Sequence, residues 1–128
     1  MNILDENILA DQRALLQKWN IPFRQIGYEI GRKGIKDIEI IPFLLRLRQR
    51  TLFSVDRHFY KRTLCHAKYG LVFLDVDQTE AAIYIRRVLR HPEFNTHAKR
   101  MGVVIRASDS GLAVWRLHAE TQARIDWN

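Results

Sequence analysis

Short apolar runs alternate with longer amphipathic or polar stretches along this chain, and three of the runs stop at a carboxylate. Asn2 to Asp5 reads as a buried strand, and from Ile8 to Trp19 apolar residues recur at helical spacing, with Ile8, Leu15 and Trp19 on one face, Leu9 and Leu16 beside it, and Asn7 as the cap. "PFRQIG" predicts a short second strand ending at Gly27, and "GRKG" a flexible basic loop. A second helix is expected from Asp37 to about Arg50, capped by Asp37, with Pro42 kinking the first turn or delaying the regular part. "TLFSV" and "GLVFL" are strands separated by an irregular or helical basic segment from Tyr60 to Ala67. Asp77 and Glu80 have the spacing of a capping box for a helix through about His91. Pro92 to Met101 reads as a loop with one short helix, and Val103 to Ala107 and Leu112 to Leu117 as a hairpin about "SDSG".

Strands alternating with helices predict an α/β fold with a mostly parallel central sheet flanked by helices, ending in an antiparallel hairpin. Without repeats, low-complexity stretches or a Gly-, Pro- or Ser-rich linker, residues 1–128 read as one domain. In such sheets the ligand crevice lies outside the carboxyl ends of the strands. Asp5, Asp56 and Asp75 are all placed there, so acids far apart in sequence are expected on one rim.

Composition narrows the class. At 128 residues the chain is long enough to bury a core, and no apolar run reaches the roughly 20 residues of a membrane helix. The early acidic "DEN" does not fit a secretory leader, so the expectation is a cytoplasmic protein without a membrane partner. Cys65 is the single cysteine and excludes an internal disulfide. The net charge of +7 would attract polyanions. The cations cluster at Arg32, Lys33 and Lys36; at Arg46, Arg48 and Arg50; at Arg57, Lys61 and Arg62; at Arg86, Arg87 and Arg90; and at Lys99 and Arg100. The first and third clusters lie near the acids and are the candidates for RNA contacts.

Clustered carboxylates repel one another, and a hard divalent cation is their usual compensation. Mg2+ or Mn2+ held by several acids can activate water and offset charge on a phosphodiester while surrounding Arg and Lys hold the strand. "ILDEN", "GIKDIEIIPFL" and "RTLFSVDRHFY", in this order, resemble the small PIN-like nucleases, in the branch with a "DEN" first motif and a "D-x-D-F" third motif. The resemblance covers roughly residues 2 to 75. It implies a Rossmann-like PIN-type domain cleaving RNA with Mg2+ or Mn2+, often as the toxin of a toxin–antitoxin pair. RNA, a cognate antitoxin protein and a second copy of the chain are then the partners to seek. It also implies that Asp5, Asp37 and Asp56 are the catalytic and metal-binding acids; Glu6 in the first helical turn and Asp75 at a strand end are further candidate ligands by their own positions.

The chain departs from the motif at His58, where a second Asp is usual. Neutral imidazole suits Mg2+ poorly. The site would then hold metal weakly, prefer Mn2+, use His58 as a proton carrier, or be degenerate in a module that only binds RNA or protein. Asp77 is expected to cap a helix, and His66, His91, His97 and His118 have no metal spacing. "VFLDVDQTE" imitates the first motif of haloacid dehalogenase-like phosphatases, but too little chain follows Asp75 for the later motifs of that family.

Overall fold

A computed structural model of the protein describes residues 1–47 and 49–128, so Arg48 of the second basic cluster lies outside the described residues. Seven strands form one sheet in the order β2-β1-β3-β4-β5-β6-β7: Asn2–Leu4 (β1), Arg24–Gln25 (β2), Arg50–Ser54 (β3), Tyr69–Leu74 (β4), Val103–Ser108 (β5), Gly111–Arg116 (β6) and Ala123–Ile125 (β7). β2, β1, β3, β4 and β5 are parallel, and β6 and β7 add antiparallel. This is the predicted α/β arrangement with its C-terminal hairpin turning at Asp109 and Ser110. β7 was not foreseen, because a three-residue Ala-Arg-Ile strand shows no period.

The helices are Ala10–Lys18 (α1), Asp37–Leu47 (α2), Ala81–Arg90 (α3) and His97–Arg100 (α4). Period-2 alternation along the strands feeds two cores. Leu4, Phe53, Val72 and Ile105 pack with Leu16 of α1 and with Ala82, Ile85 and Val88 of α3 on one face. On the other, Ile3, Leu52, Leu71 and Val104 pack with Ile40 and Leu44 of α2. Each face is thus covered, which explains why strands such as β4 are apolar at every position.

Local expectations fail where backbone groups find other partners. α1 begins at Ala10 behind Leu9 and has no side-chain cap, whereas the Asn7 amide donates to Oδ1 of Asp5 at 3.4 Å. α2 starts at Asp37 itself, runs through Pro42 and ends at Leu47, short of the expected Arg50. Its first turn around Ile38, 83% exposed, is open to water, which can take the carbonyl that Pro42 leaves without a donor. Asp77 caps a 3-10 turn, Gln78–Glu80, by accepting from the Thr79 amide at 2.9 Å. α3 proper is capped from outside, by Oε1 of buried Gln12 accepting from the Ala82 amide at 2.9 Å.

Opposite the acidic rim, β4 passes the carbonyl of Arg100 so closely that a Cβ on Gly70 would lie 2.0 Å from it. Arg100 is only 4% exposed and donates to Thr51 Oγ1 and to the Phe94 carbonyl, so it belongs to the interior and leaves the basic surface. No helix among the described residues is long and apolar enough to cross a membrane.

Candidate acidic site

The strand order reverses direction between β1 and β3, and in doubly wound sheets the crevice opens at that point. Asp5 follows β1 and Ser54 ends β3; the pairing of Leu4 with Phe53 puts them in adjacent register. Asp5 is 5% exposed, its amide donates to the Phe53 carbonyl at 3.0 Å, and its Oδ2 accepts from Ser54 Oγ at 2.8 Å. The same hydroxyl accepts from the Asp56 amide at 3.0 Å, so one serine joins the ends of two strands to the two acids.

Asp56 caps the following 3-10 turn, Arg57–Phe59, by accepting from the His58 amide at 2.9 Å. The His58 ring lies beside it, Nδ1 3.1 Å from the same Oδ1. Asp37 enters from the first turn of α2, and donor atoms of Asp37, Asp56 and His58 all lie within 4.8 Å of one another. The charges of Asp37 and Asp56 reach Asp5. Three segments remote in sequence therefore converge at the β1/β3 crevice.

The electrostatics follow from this crowding. Burial pushes the Asp5 carboxyl above its ordinary range, opposed by the Ser54 and Asn7 donors and reinforced by Asp37 and Asp56. Desolvation against its neighbours, then a hydrogen bond with Asp56 and that residue's charge, raise Asp37, while His58 lowers it. Asp37 thus carries its charge against a like neighbour, a condition that a divalent cation would relieve. Asp37, Asp56 and His58 could offer a mainly hard donor set, two carboxylates and an imidazole, which would suit Mn2+ better than Mg2+ because of its nitrogen.

The remaining candidates are placed elsewhere. Glu6 accepts from the Gly34 amide at 3.0 and 3.1 Å, tethering the "GRKG" loop beside the site. Asp75 ends β4 and pairs with Arg106, which donates from Nε at 2.8 Å and Nη2 at 2.5 Å. With Asp77 committed to the Thr79 amide and hydroxyl, the phosphatase-like "DVDQT" resolves into an ion pair and a cap. Arg32 pairs with Glu39, Lys33 lies 5.3 Å from the Tyr28 ring centre, and Lys36 is exposed just before α2. Arg57 and Lys61 line a cleft of about 470 Å³ beside His58, and Arg62 lies over Trp115, 5.4 Å from its centre.

Two residues that organise the site carry no motif. Ser54 is one. The other is Gln25 of β2, 1% exposed, whose Nε2 donates to the carbonyls of Asp5 at 3.0 Å and Ile8 at 2.9 Å and pins the loop that carries Asp5 and Glu6. The sequence carries no signal for Gln25, which follows Arg24 in a two-residue polar strand. Comparison of the chain with protein-family models, with curated proteins and with solved structures gives no match.

Proposed function

We propose that the protein is a divalent-metal-dependent ribonuclease of the PIN-like type, acting as the toxin of a toxin–antitoxin pair. The observation that supports this best is the meeting of Asp37 and Asp56, with Asp5 tied to Asp56 through Ser54, at the strand-order reversal of a chain with net charge +7. Asp37 and Asp56 with His58 would hold Mn2+ or Mg2+, and Asp5 would add negative charge from below. The metal would activate water and offset charge on the phosphodiester. Ser54 fixes Asp5 and presents Asp56, and Gln25 holds the loop that carries Asp5.

Incubation of the purified protein with mixed cellular RNA in EDTA, Mg2+ and Mn2+ tests the reading. Cleavage is expected only with metal, and Asp5→Asn and Asp56→Asn should each lower the rate on the order of a thousandfold, about 4 kcal/mol of transition-state stabilisation. Wild-type rates in both variants would overturn the site. The histidine beside Asp56 favours a second reading, an RNA- or protein-binding module that has lost catalysis, and RNA binding without cleavage in any metal would select it. In the toxin reading, expression in a bacterial host arrests growth and Asp56→Asn restores it.

A further inference from the structure

The strand pairings carry the acidic rim further than the acids do. Ser54 pairs with Phe73, Phe73 with Arg106, Arg106 with Ala113 and Ala113 with Arg124, so one register row crosses β3, β4, β5, β6 and β7 on the face that holds Asp5. At about 4.8 Å per strand the row runs roughly 19 Å from Ser54 to Arg124. It begins at Ser54 beside Asp5 and Asp56, has an aromatic floor at Phe73 and carries Arg106 and Arg124 along its second half. The cleft beside His58 lies over its first half, walled by Arg57, Tyr60 and Lys61, and a second hollow between Arg106 and Arg124 continues it.

Two of the groups along this groove, Tyr60 and Arg106, are held in place. Tyr60 is half-buried with its hydroxyl accepting from Gln122 Nε2, and both Arg106 and Arg124 lie near enough for their charges to reach it. Asp75 fixes the Arg106 guanidinium without filling its remaining donors. Among the described residues, Arg57, Lys61 and Arg124 have no carboxylate within ion-pair distance. Immobilised aromatic surface between unpaired cations suits an unpaired base flanked by phosphates, since stacking accepts any base and cations track the backbone.

We infer that the groove from Asp56 across Tyr60 and Phe73 to Arg106 and Arg124 is the track for a single nucleic-acid strand, with Tyr60 stacking the nucleotide next to the acidic site and Arg124 holding a phosphate beyond it. This rests on the RNA-directed reading above and adds the path of the strand, perpendicular to the β-strands and toward β7. Arg106 is a positioning residue for that path, held by Asp75.

The test is fluorescence anisotropy of a labelled uridine 12-mer in EDTA, where metal-dependent cleavage cannot contribute, at several salt concentrations. Tyr60→Leu should weaken binding about 5- to 150-fold, the range for losing one stacked base, while Tyr60→Phe stays near wild type. Arg124→Gln should lower the slope of log K against log salt by about 0.7, one phosphate contact, whereas Arg90→Gln on α3, with the same charge change, should leave the slope alone. The track is overturned if wild type does not bind, if Tyr60→Leu and Arg124→Gln bind as wild type does, or if Arg90→Gln matches Arg124→Gln. The two readings fail separately. Groove-dependent binding without metal-dependent cleavage removes the nuclease and keeps the track; cleavage unchanged in Tyr60→Leu and Arg124→Gln keeps the nuclease and removes the track.

Discussion

The Ser54 hydroxyl donates to Oδ2 of Asp5 at 2.8 Å in a place where both residues are almost wholly buried. A hydrogen bond to a charged group contributes about 1.5–3 kcal/mol. Ser54→Ala should therefore cost about that much at neutral pH, measured by urea unfolding in EDTA. Burial already raises Asp5, and losing this donor raises it further, so the cost should shrink as pH falls through the folded-state value and the carboxyl becomes neutral. A penalty independent of pH would mean that the serine merely fills space.

Asp37 gives a linkage prediction of definite sign. Its carboxyl sits above the ordinary range when folded, so the native state binds more protons than the unfolded chain. Stability without metal then falls as pH rises from the unfolded value, near 3.9, through the folded one. Asp37→Asn removes that loss, against a smaller cost from taking an acid out of the first turn of α2. Thermal melts in EDTA should show the variant at least as stable as wild type at pH 7, with its advantage gone near pH 3. A variant clearly less stable at pH 7 would make the helix-terminus effect the larger.

Three strand ends were legible because their apolar runs stop at or just before an acid, and alternating apolar runs and helical periods sufficed for the mostly parallel sheet and its hairpin. Strand order was not legible, since β2 and β3 are joined through α2 across β1 and no local pattern encodes which neighbour a strand chooses. Asp37, Asp56 and His58 are recognisable as candidate chemistry in the sequence, yet their meeting depends on that order. Ser54, Gln25 and Gln12 were invisible for another reason: a buried polar side chain declares itself only through its partners, here Asp5, the loop carbonyls and the Ala82 amide. The charge clusters misled where a cation turned inward, as Arg100 does, or met an acid, as Arg32 meets Glu39.

Gln25 offers a test of how the site is held. Gln25→Leu keeps the size of the side chain but leaves the carbonyls of Asp5 and Ile8 without their side-chain donor, and frees an Arg13 donor at 3.1 Å. The expected cost is about 2–4 kcal/mol, since buried acceptors lose partners and no cavity opens. Hydrogen exchange should report where it falls: the Ile8 amide, bonded to the Asp5 carbonyl at 3.1 Å, should exchange faster relative to the β4 amides. Uniform acceleration across the sheet would place the loss in global stability rather than in the loop.

The last prediction concerns His58 and can be checked without a substrate. Its Nδ1 shares Oδ1 of Asp56 with its own main-chain amide, so the ring supplies a nitrogen where an all-oxygen set would suit Mg2+. His58→Asp would place a third carboxylate beside Asp37 and Asp56. In EDTA that adds repulsion, and the variant should melt below wild type at pH 7. With metal the order should reverse for Mg2+, because binding to the folded state alone stabilises by about 2.7 kcal/mol at a hundred times the dissociation constant. Wild type should respond more to Mn2+ than to Mg2+, His58→Asp to both, and Asp56→Asn weakly to either. Melting curves in EDTA, Mg2+ and Mn2+ for the three proteins supply every comparison. Equal metal shifts in wild type and Asp56→Asn would leave Asp56 as the cap of its 3-10 turn and nothing more, and an unchanged Mg2+ response in His58→Asp would mean that the imidazole does not limit the site.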